Sequence, residues 1–530
     1  MGKHKIKIPS FVFDERFIIG FLFILAIAVR LLYKNGGLFH WDSLRDVLAV
    51  EWILTNGEFQ YSYAYGAPGM VVLVFLFYMI HKLFTGTTSA ESAYFFVTFV
   101  TAALCVVLVY LITKKFTKDR FISISAALLM CFTPIFLSVT TYPKTHSISL
   151  FFALASIYLM ILYSEQSKNW MLALCGFCLG YSITIRIFSV LFILPLLYIY
   201  LDLKIKNSSL KINKDKMNIK NPLIFGIPAA AIWIVMFWKM IVSRGGMIEY
   251  AKAMVGEQSG AVGWQGFFSS YMVPSISALY KTMTIIGVIL LFVGLFYGLK
   301  KNRDLVIVLL LWTLPFFFYF ANIAAAQSRF FITFLPPLMI FIALGLGLVY
   351  SKHKVAAIAV LLLTVGMMFY TVHPFIKHRH DFSGTKEAAL WMASVTEPNA
   401  KIMTNDVGWF IDYYGDREIF RHPRTGDTNE INEFLTQMNT DLQQGIPIYA
   451  TAEGFAIDPG KKVFNGILAN FDVSPVGEHP SEIYQYSELE LRPYTAKLFK
   501  IQLKPPQEDT ESSDTEDSDT EDDNAETEES

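Results

Sequence analysis

Long apolar runs divide this chain, lying near residues 16–33, 68–84, 91–112, 120–141, 146–163, 170–200, 222–242, 276–298, 304–321, 330–350 and 355–375. Most approach or exceed the about 20 residues that a helix needs to cross a bilayer. Five intervening stretches are basic: residues 1–8, TKKFTKDR (113–120), LDLKIKNSSLKINKDKMNIK (201–220), LKKNR (299–303) and SKHK (351–354). Short loops rich in Lys and Arg stay in the cytoplasm, so an even number of crossings must separate each from the next. Parity predicts that the run at 68–84, which opens on GAPGM and holds His81 and Lys82, is a helix lying at the interface. Residues 34–90 then form one large extracytoplasmic loop. The 31-residue run at 170–200 becomes two helices meeting on the outer side near Arg186. The expectation is a polytopic α-helical protein with 11 spans, a cytoplasmic N-terminus and a chain that emerges outside at His373. The first run follows a basic start and has no small-residue cleavage site, which reads as an uncleaved first span.

After residue 375 the periodicity changes. SGTKEAALWMASV and TNEINEFLTQMNTDLQQG have apolar residues at helical spacing, whereas AKIMTN and IPIYAT read as strands. This order predicts an extracytoplasmic soluble α/β domain over 376–506 with a mainly parallel sheet. It follows a transmembrane domain over 1–375. Residues 507–530 are an acidic Ser/Thr/Glu/Asp tail with repeated DTED, too polar to bury a core and expected to be disordered.

Composition sharpens the picture at two points. With 54% hydrophobic residues and a mean hydropathy of +0.42, the bilayer is the main solvent. The net charge of −1 conceals opposed regions: the last 23 residues carry 13 acidic groups, leaving 44 basic against 32 acidic residues in the body. The four cysteines, Cys105, Cys131, Cys175 and Cys178, lie in apolar runs and read as small hydrophobes rather than a metal or redox set.

Ionisable groups near a membrane are costly, and this topology gathers several at one mouth of the bundle. They are Asp42 and Asp46 in HWDSLRD, Lys144 and His146 in TTYPKTHSISL, Arg186 in LGYSITIRIFSVL, Arg244 in MIVSRGGMIEY and Arg329 in AAAQSRFFITFLPPL. A carboxylate among cations at headgroup level suggests an anionic, lipid-linked substrate. Structural roles stand beside that reading. Asp42 is a favoured N-cap for a helix starting at Ser43, Asp46 could face water, Arg186 and Arg329 could snorkel to headgroups, and Lys144, His146 and Arg244 could end helices.

With those motifs in order, the chain resembles the GT-C superfamily of membrane glycosyltransferases, in the branch of protein O-mannosyltransferases and the lipid A aminoarabinose transferase. HWDSLRDVLAVEWILTNGEF and GAPGMVVLVFLFYMIHKLFTG occupy the places of that branch's acidic first-loop motif and interfacial helix. LGYSITIRIFS is similar to its small-residue helix and places Thr184 and Arg186, while SRFFITFLPPL places Arg329, Pro336 and Pro337. The chain departs in two places. The usual Asp-Glu pair is Asp42-Ser43, and Lys144 and His146 stand where relatives commonly have Arg and Asp. The Trp-Trp-Asp-Tyr-Gly motif of oligosaccharyltransferases is absent, which argues against transfer of a whole glycan to asparagine.

The resemblance implies a polyprenyl-phosphate sugar donor and an acceptor hydroxyl on a protein, lipid or glycan. Phosphate leaves as a stable anion and needs no proton, so one carboxylate suffices where a glycosidase needs two. Asp42 is then the general base, with Asp46, Lys144, His146, Arg186, Arg244 and Arg329 as substrate-binding residues and inversion as the outcome. The scheme needs no metal and no cofactor, and its partners are membrane lipids rather than nucleic acid. Aromatics such as Trp409, Tyr413 and Tyr414 could help bind the acceptor or form the soluble domain's core. A lipid-linked glycan polymerase or ligase shares the donor chemistry. A transporter or flippase would tend to show internal repeats, and the sequence shows no convincing one.

Overall fold

The protein's fold comes from a computed structural model, which describes residues 14–505 apart from 62–67, 202–203, 207–208, 212–219, 251, 253–267, 323–326, 405–407, 424–426, 457–459, 483–487 and 492. The basic N-terminus, most of the basic 201–220 stretch and the acidic tail lie outside the described residues. The chain opens with α1 (Glu15–Leu32), α2 (Trp41–Asn56), α3 (Pro68–Thr85), α4 (Ala90–Thr117), α5 (Arg120–Phe132), α6 (Pro134–Val139), α7 (Thr145–Gln166) and α8 (Asn169–Ile185). By length and composition, eight described helices can cross a membrane, including α3, α4, α7 and the helices Met272–Lys301 and Arg303–Phe320.

Polar contacts sort the helix ends into two groups. At one end Lys114 pairs with Glu15, Lys115 with Glu165 at 2.6 Å, and Asn302 donates to the Phe116 carbonyl at 3.0 Å. The ring of Phe121 stacks on Tyr350 there, with centroids 4.0 Å apart. The start of α1 and the turns near 117, 302 and 351 therefore share one end of the bundle. At the other end lie α2, the Thr140–Lys144 turn, Arg186 and the segment Ser328–Phe334.

α3 belongs wholly to this second end. A Cβ on Gly69 would overlap Thr184, at the second end of α8, and Tyr181 donates to the Gly69 carbonyl at 2.7 Å. Only residues 86–89 separate its other end from the start of α4, a link of at most about 14 Å. Although α3 has the length of a span, both of its ends are held near one face, as a helix lying in the interface requires.

Close helix crossings explain several glycines. A Cβ on Gly294 would run into the Phe341 carbonyl, and one on Gly345 into the Leu290 carbonyl, so helices Met272–Lys301 and Leu335–Lys352 approach backbone to backbone. Gly176 and Gly180 do the same for α8 against Lys220–Ser243. Small residues at such crossings gain packing that lipid cannot offer, because the tails are as apolar as the side chains.

After the last long helix, Lys354–Asp381, the chain builds an α/β region on the second end. Its strands are β1 (Lys401–Met403), β2 (Glu418–Phe420), β3 (Ile448–Thr451), β4 (Phe471–Glu482) and β5 (Pro493–Leu503), in the order β2-β1-β3-β5-β4. The expected mainly parallel sheet is a mixed one. β1 is parallel to β2 and β3, but β5 runs antiparallel to both β3 and β4. The reason lies in the spacing: ten residues separate β4 from β5, fewer than the dozen or more a parallel crossover needs. β4 is an edge strand, which tolerates Pro475 and Pro480 and carries the bulge between Pro475 and Gly477. Tyr413 and Tyr414 dock this region on the bundle, donating to Glu51 and Glu91 at 3.3 Å each, while the Leu38 N–H donates to the Tyr414 hydroxyl at 2.8 Å. Trp409 is 42% exposed.

Candidate active site

The centre of the second end is the start of α2. Its N-cap is His40, not Asp42: the His40 side chain accepts the Asp42 N–H at Nδ1, 2.9 Å away, and Asp42 lies in the first turn of a helix that begins at Trp41. Lys144 Nζ also approaches His40 Nδ1, at 2.8 Å. Two donors meeting one ring nitrogen require it to accept, so His40 is a neutral imidazole with its proton on Nε2. Burial first and the Lys144 charge second hold its pKa well below the usual value, to the same effect. The 3.2 Å approach of Asp42 Oδ2 to that nitrogen is therefore a contact bridged by the lysine, not an ion pair.

Asp42 Oδ2 lies 2.5 Å from Lys144 Nζ and 3.9 Å from Arg329 Nη2. Burial alone would raise the Asp42 pKa; the Lys144 and Arg329 charges more than reverse that and hold the carboxyl below its ordinary range. Lys144, 2% exposed, moves the other way: desolvation lowers it to about 8 despite Asp42. It is the N-cap of α7 and follows Pro143, whose carbonyl accepts from Ser43 Oγ at 2.5 Å. Ser43 thus ties the Lys144 turn to α2.

Arg329 enters on the 3-10 segment Ser328–Phe334, ahead of the helix that holds Pro336 and Pro337 in its first turn. Phe330 sits between the cations: the guanidinium of Arg186 lies 5.0 Å and that of Arg329 5.5 Å from its ring centroid. His146 stacks on the same ring at 5.9 Å, and Arg186 Nη1 lies 2.9 Å from His146 Nε2. Arg186 follows the last residue of α8, where the chain turns into Ile187–Phe192.

Of the sequence candidates, Asp42, Lys144, His146, Arg186 and Arg329 form this connected group. Asp46 is fully buried and accepts from the Tyr94 hydroxyl at 2.9 Å, a contact between α2 and α4. Arg244 ends the Lys220–Ser243 helix, beside a separate apolar cluster of Phe237, Met240, Ile241 and Tyr250. Sequence reasoning missed His40, which sits two residues before Asp42 and carried a visible signal in that adjacency. It also missed Arg379 and Glu488, buried in this end at 3.5 Å from one another. Among the described residues, no group of three or more His, Cys, Asp or Glu is placed to hold a metal.

Residues 74–242 match the family described as dolichyl-phosphate-mannose-protein mannosyltransferase. That stretch contains Lys144, His146 and Arg186, with Asp42 before it and Arg329 after it. No curated protein sequence matches the chain. Among solved structures, ArnT from Cupriavidus metallidurans bound to undecaprenyl phosphate aligns over 92% of this chain and 98% of its own, at 10% identity and a TM-score of 0.63. The oligosaccharyltransferase AglB from Archaeoglobus fulgidus, in complex with an inhibitory peptide and a dolichol-phosphate, aligns over 86% of this chain and 72% of its own, at 12% identity and a TM-score of 0.53. The mycobacterial arabinofuranosyltransferase AftD aligns over 93% of this chain and 42% of its own, at 11% identity and a TM-score of 0.50. The chain has the GT-C fold. Residues 74–242 of that fold carry the match to the mannosyltransferase family model.

Proposed function

We propose that this protein moves a single sugar from a polyprenyl-phosphate donor to an acceptor hydroxyl at the extracytoplasmic face, with inversion at the anomeric carbon. The matched family makes mannose on a dolichyl or related polyprenyl phosphate the first donor to test, and a protein hydroxyl the first acceptor. One observation carries the reading: Asp42 is held by Lys144 and Arg329 at the end of the bundle opposite the basic turns near 117, 302 and 351. With those turns cytoplasmic, the chain crosses eleven times, α3 lies at the outer interface, and the α/β region is extracytoplasmic.

The charge count suits the chemistry. A polyprenyl phosphosugar is a phosphodiester with one negative charge, and the departing polyprenyl phosphate gains a second as the bond breaks. Lys144, Arg186 and Arg329 against Asp42 leave two positive charges in excess, so the site matches the product-like anion better than the donor. Interactions that strengthen toward the transition state are those that accelerate the reaction. In the step itself the acceptor O–H gives its proton to the Asp42 carboxylate, and the acceptor oxygen attacks the anomeric carbon opposite the phosphate. The electron pair of the breaking C–O bond goes to the phosphate oxygen, beside Lys144 and the arginines.

A carboxylate held by a lysine is a weak base, and the same geometry supplies the remedy. An incoming phosphate competes for Lys144 and draws positive charge away from Asp42, so the base strengthens when the donor is in place. The test is reconstitution in liposomes with labelled polyprenyl-phosphate mannose and a panel of hydroxyl acceptors. Transfer of one mannose with inverted configuration supports the reading; absence of transfer from every polyprenyl-phosphate sugar overturns it.

A further inference from the structure

Between the end of β4 at Glu482 and the start of β5 at Pro493, the described residues Glu488 and Leu489 are buried in the bundle rather than in the α/β region. Leu489 is 5% exposed and belongs to the large apolar core of the transmembrane helices. Glu488 is 1% exposed and reaches three segments at once. Its Oε1 accepts from the Tyr142 hydroxyl at 3.0 Å, and its backbone N–H donates to Ser328 Oγ at 2.9 Å. Its backbone carbonyl accepts from Ser138 Oγ at 3.0 Å. Arg379, at the end of the last long helix, lies 3.5 Å from Glu488 Oε2, donates to Ser138 Oγ at 2.8 Å and stacks over Phe39 at 4.3 Å.

Two of the Glu488 partners, Tyr142 and Ser328, and the ring under Arg379, Phe39, adjoin members of the candidate site. Tyr142 is two residues before Lys144, Ser328 is the residue before Arg329, and Phe39 is the residue before His40. We propose that Glu488, delivered by the α/β region, is a positioning residue that fixes Lys144, Arg329 and the start of α2 in the geometry that receives the donor phosphate. The inference rests on the reading of that group as a phosphate site. A buried ion pair is weak grounds for stability, because an apolar replacement of similar volume is often as stable. Its contacts point to geometry instead, since Tyr142 and Ser328 lie in the segments that carry Lys144 and Arg329, and Arg379 passes the constraint to Phe39 beside His40. The α/β region thereby completes the site from outside the bundle.

The experiment compares wild type with Glu488→Gln, Glu488→Ala and Tyr142→Phe in two assays: equilibrium binding of radiolabelled polyprenyl phosphate, and the pH profile of kcat/KM for the donor, both per folded molecule. Glu488→Gln keeps an acceptor for Tyr142 but leaves the Arg379 charge uncompensated. That added positive field disfavours protonated Lys144, so the alkaline limb of the profile moves to lower pH; with Arg379 no longer held, the start of α2 beside Phe39 loses its register and polyprenyl phosphate affinity falls at least fivefold. Tyr142→Phe, which removes one hydroxyl without disturbing the ion pair, weakens binding at least threefold and leaves the limb in place. If Glu488→Ala does not fold, the other two variants carry the test. A residue that only docks the α/β region lowers the amount of folded protein and nothing else; unchanged affinity and an unmoved limb in Glu488→Gln overturn the proposal. Failure of wild type to bind polyprenyl phosphate overturns the phosphate-site reading itself, which is a separate outcome.

Discussion

Lys144 is the residue on which the proposed donor step turns, and Lys144→Gln isolates its charge. The ammonium is 2% exposed, 2.5 Å from Asp42 Oδ2 and 2.8 Å from His40 Nδ1. Glutamine keeps a donor near both but removes the cation. Two opposed effects follow. Asp42 loses the strongest influence lowering its pKa and becomes a better base, while the phosphate loses a charged donor in a buried site. Removing one preorganised donor of this kind costs about 10²- to 10³-fold in rate, or about 3–4 kcal/mol. The base is only partly relieved, because Arg329 stays 3.9 Å from the carboxylate, so the loss outweighs the gain. Donor kcat/KM should fall about 10²-fold with the acceptor KM within about twofold. The pH profile adds an independent sign. Lys144 carries its charge below about pH 8, so wild-type donor kcat/KM declines as pH rises through that value. Lys144→Gln has no such limb, and Lys144→Arg moves it beyond the assay range. Steady-state transfer from polyprenyl-phosphate mannose between pH 6 and 10 reads both quantities. Retention in Lys144→Gln of wild-type kcat/KM together with the alkaline limb would refute the assignment.

Three further substitutions test the packing that supports the site. Tyr94→Phe strips the hydroxyl that serves the buried Asp46 carboxylate; it should destabilise the protein by about 1–3 kcal/mol, seen as a lower unfolding midpoint in detergent, with donor KM unchanged. Gly294→Ala drives a methyl group into the Phe341 carbonyl and should cost about 1–3 kcal/mol by overpacking. Gly366→Ala, in a helix with nothing within 4 Å of the new carbon, should instead gain about 0.5–1 kcal/mol; equal effects from the two would contradict the helix crossing described.

The parts of the fold that were legible are those governed by length, hydropathy and loop charge. The basic stretches near 117, 302 and 351 do lie at one end, and the run at 170–200 does break beside Arg186, because an apolar run of that length has no other way to fit a bilayer. The parallel sheet was misread because AKIMTN and IPIYAT were the clearest strands and they are parallel, whereas β4, with its two prolines and polar residues, carries little strand pattern. Within the site, Asp42, Lys144, Arg186 and Arg329 stood out as charges beside apolar runs. Asp46 stood out for the same reason, yet it faces α4: residues 42 and 46 are four apart, and the sequence does not say which neighbour each meets. His40 was marked only by its adjacency to Asp42, since helices are more often capped by Asp, Asn, Ser and Thr. Glu488 had no local signal at all, since its burial depends on contacts with residues more than a hundred positions away.

The central claim is that Asp42 is the base and the surrounding cations hold the phosphate. Asp42→Asn separates the two, since it keeps the shape and removes the proton acceptor. Transfer of labelled mannose from polyprenyl phosphate, measured beside polyprenyl phosphate binding, should show turnover reduced by about 10²- to 10⁴-fold with affinity for the lipid phosphate retained or increased. Turnover within a few-fold of wild type would contradict the account.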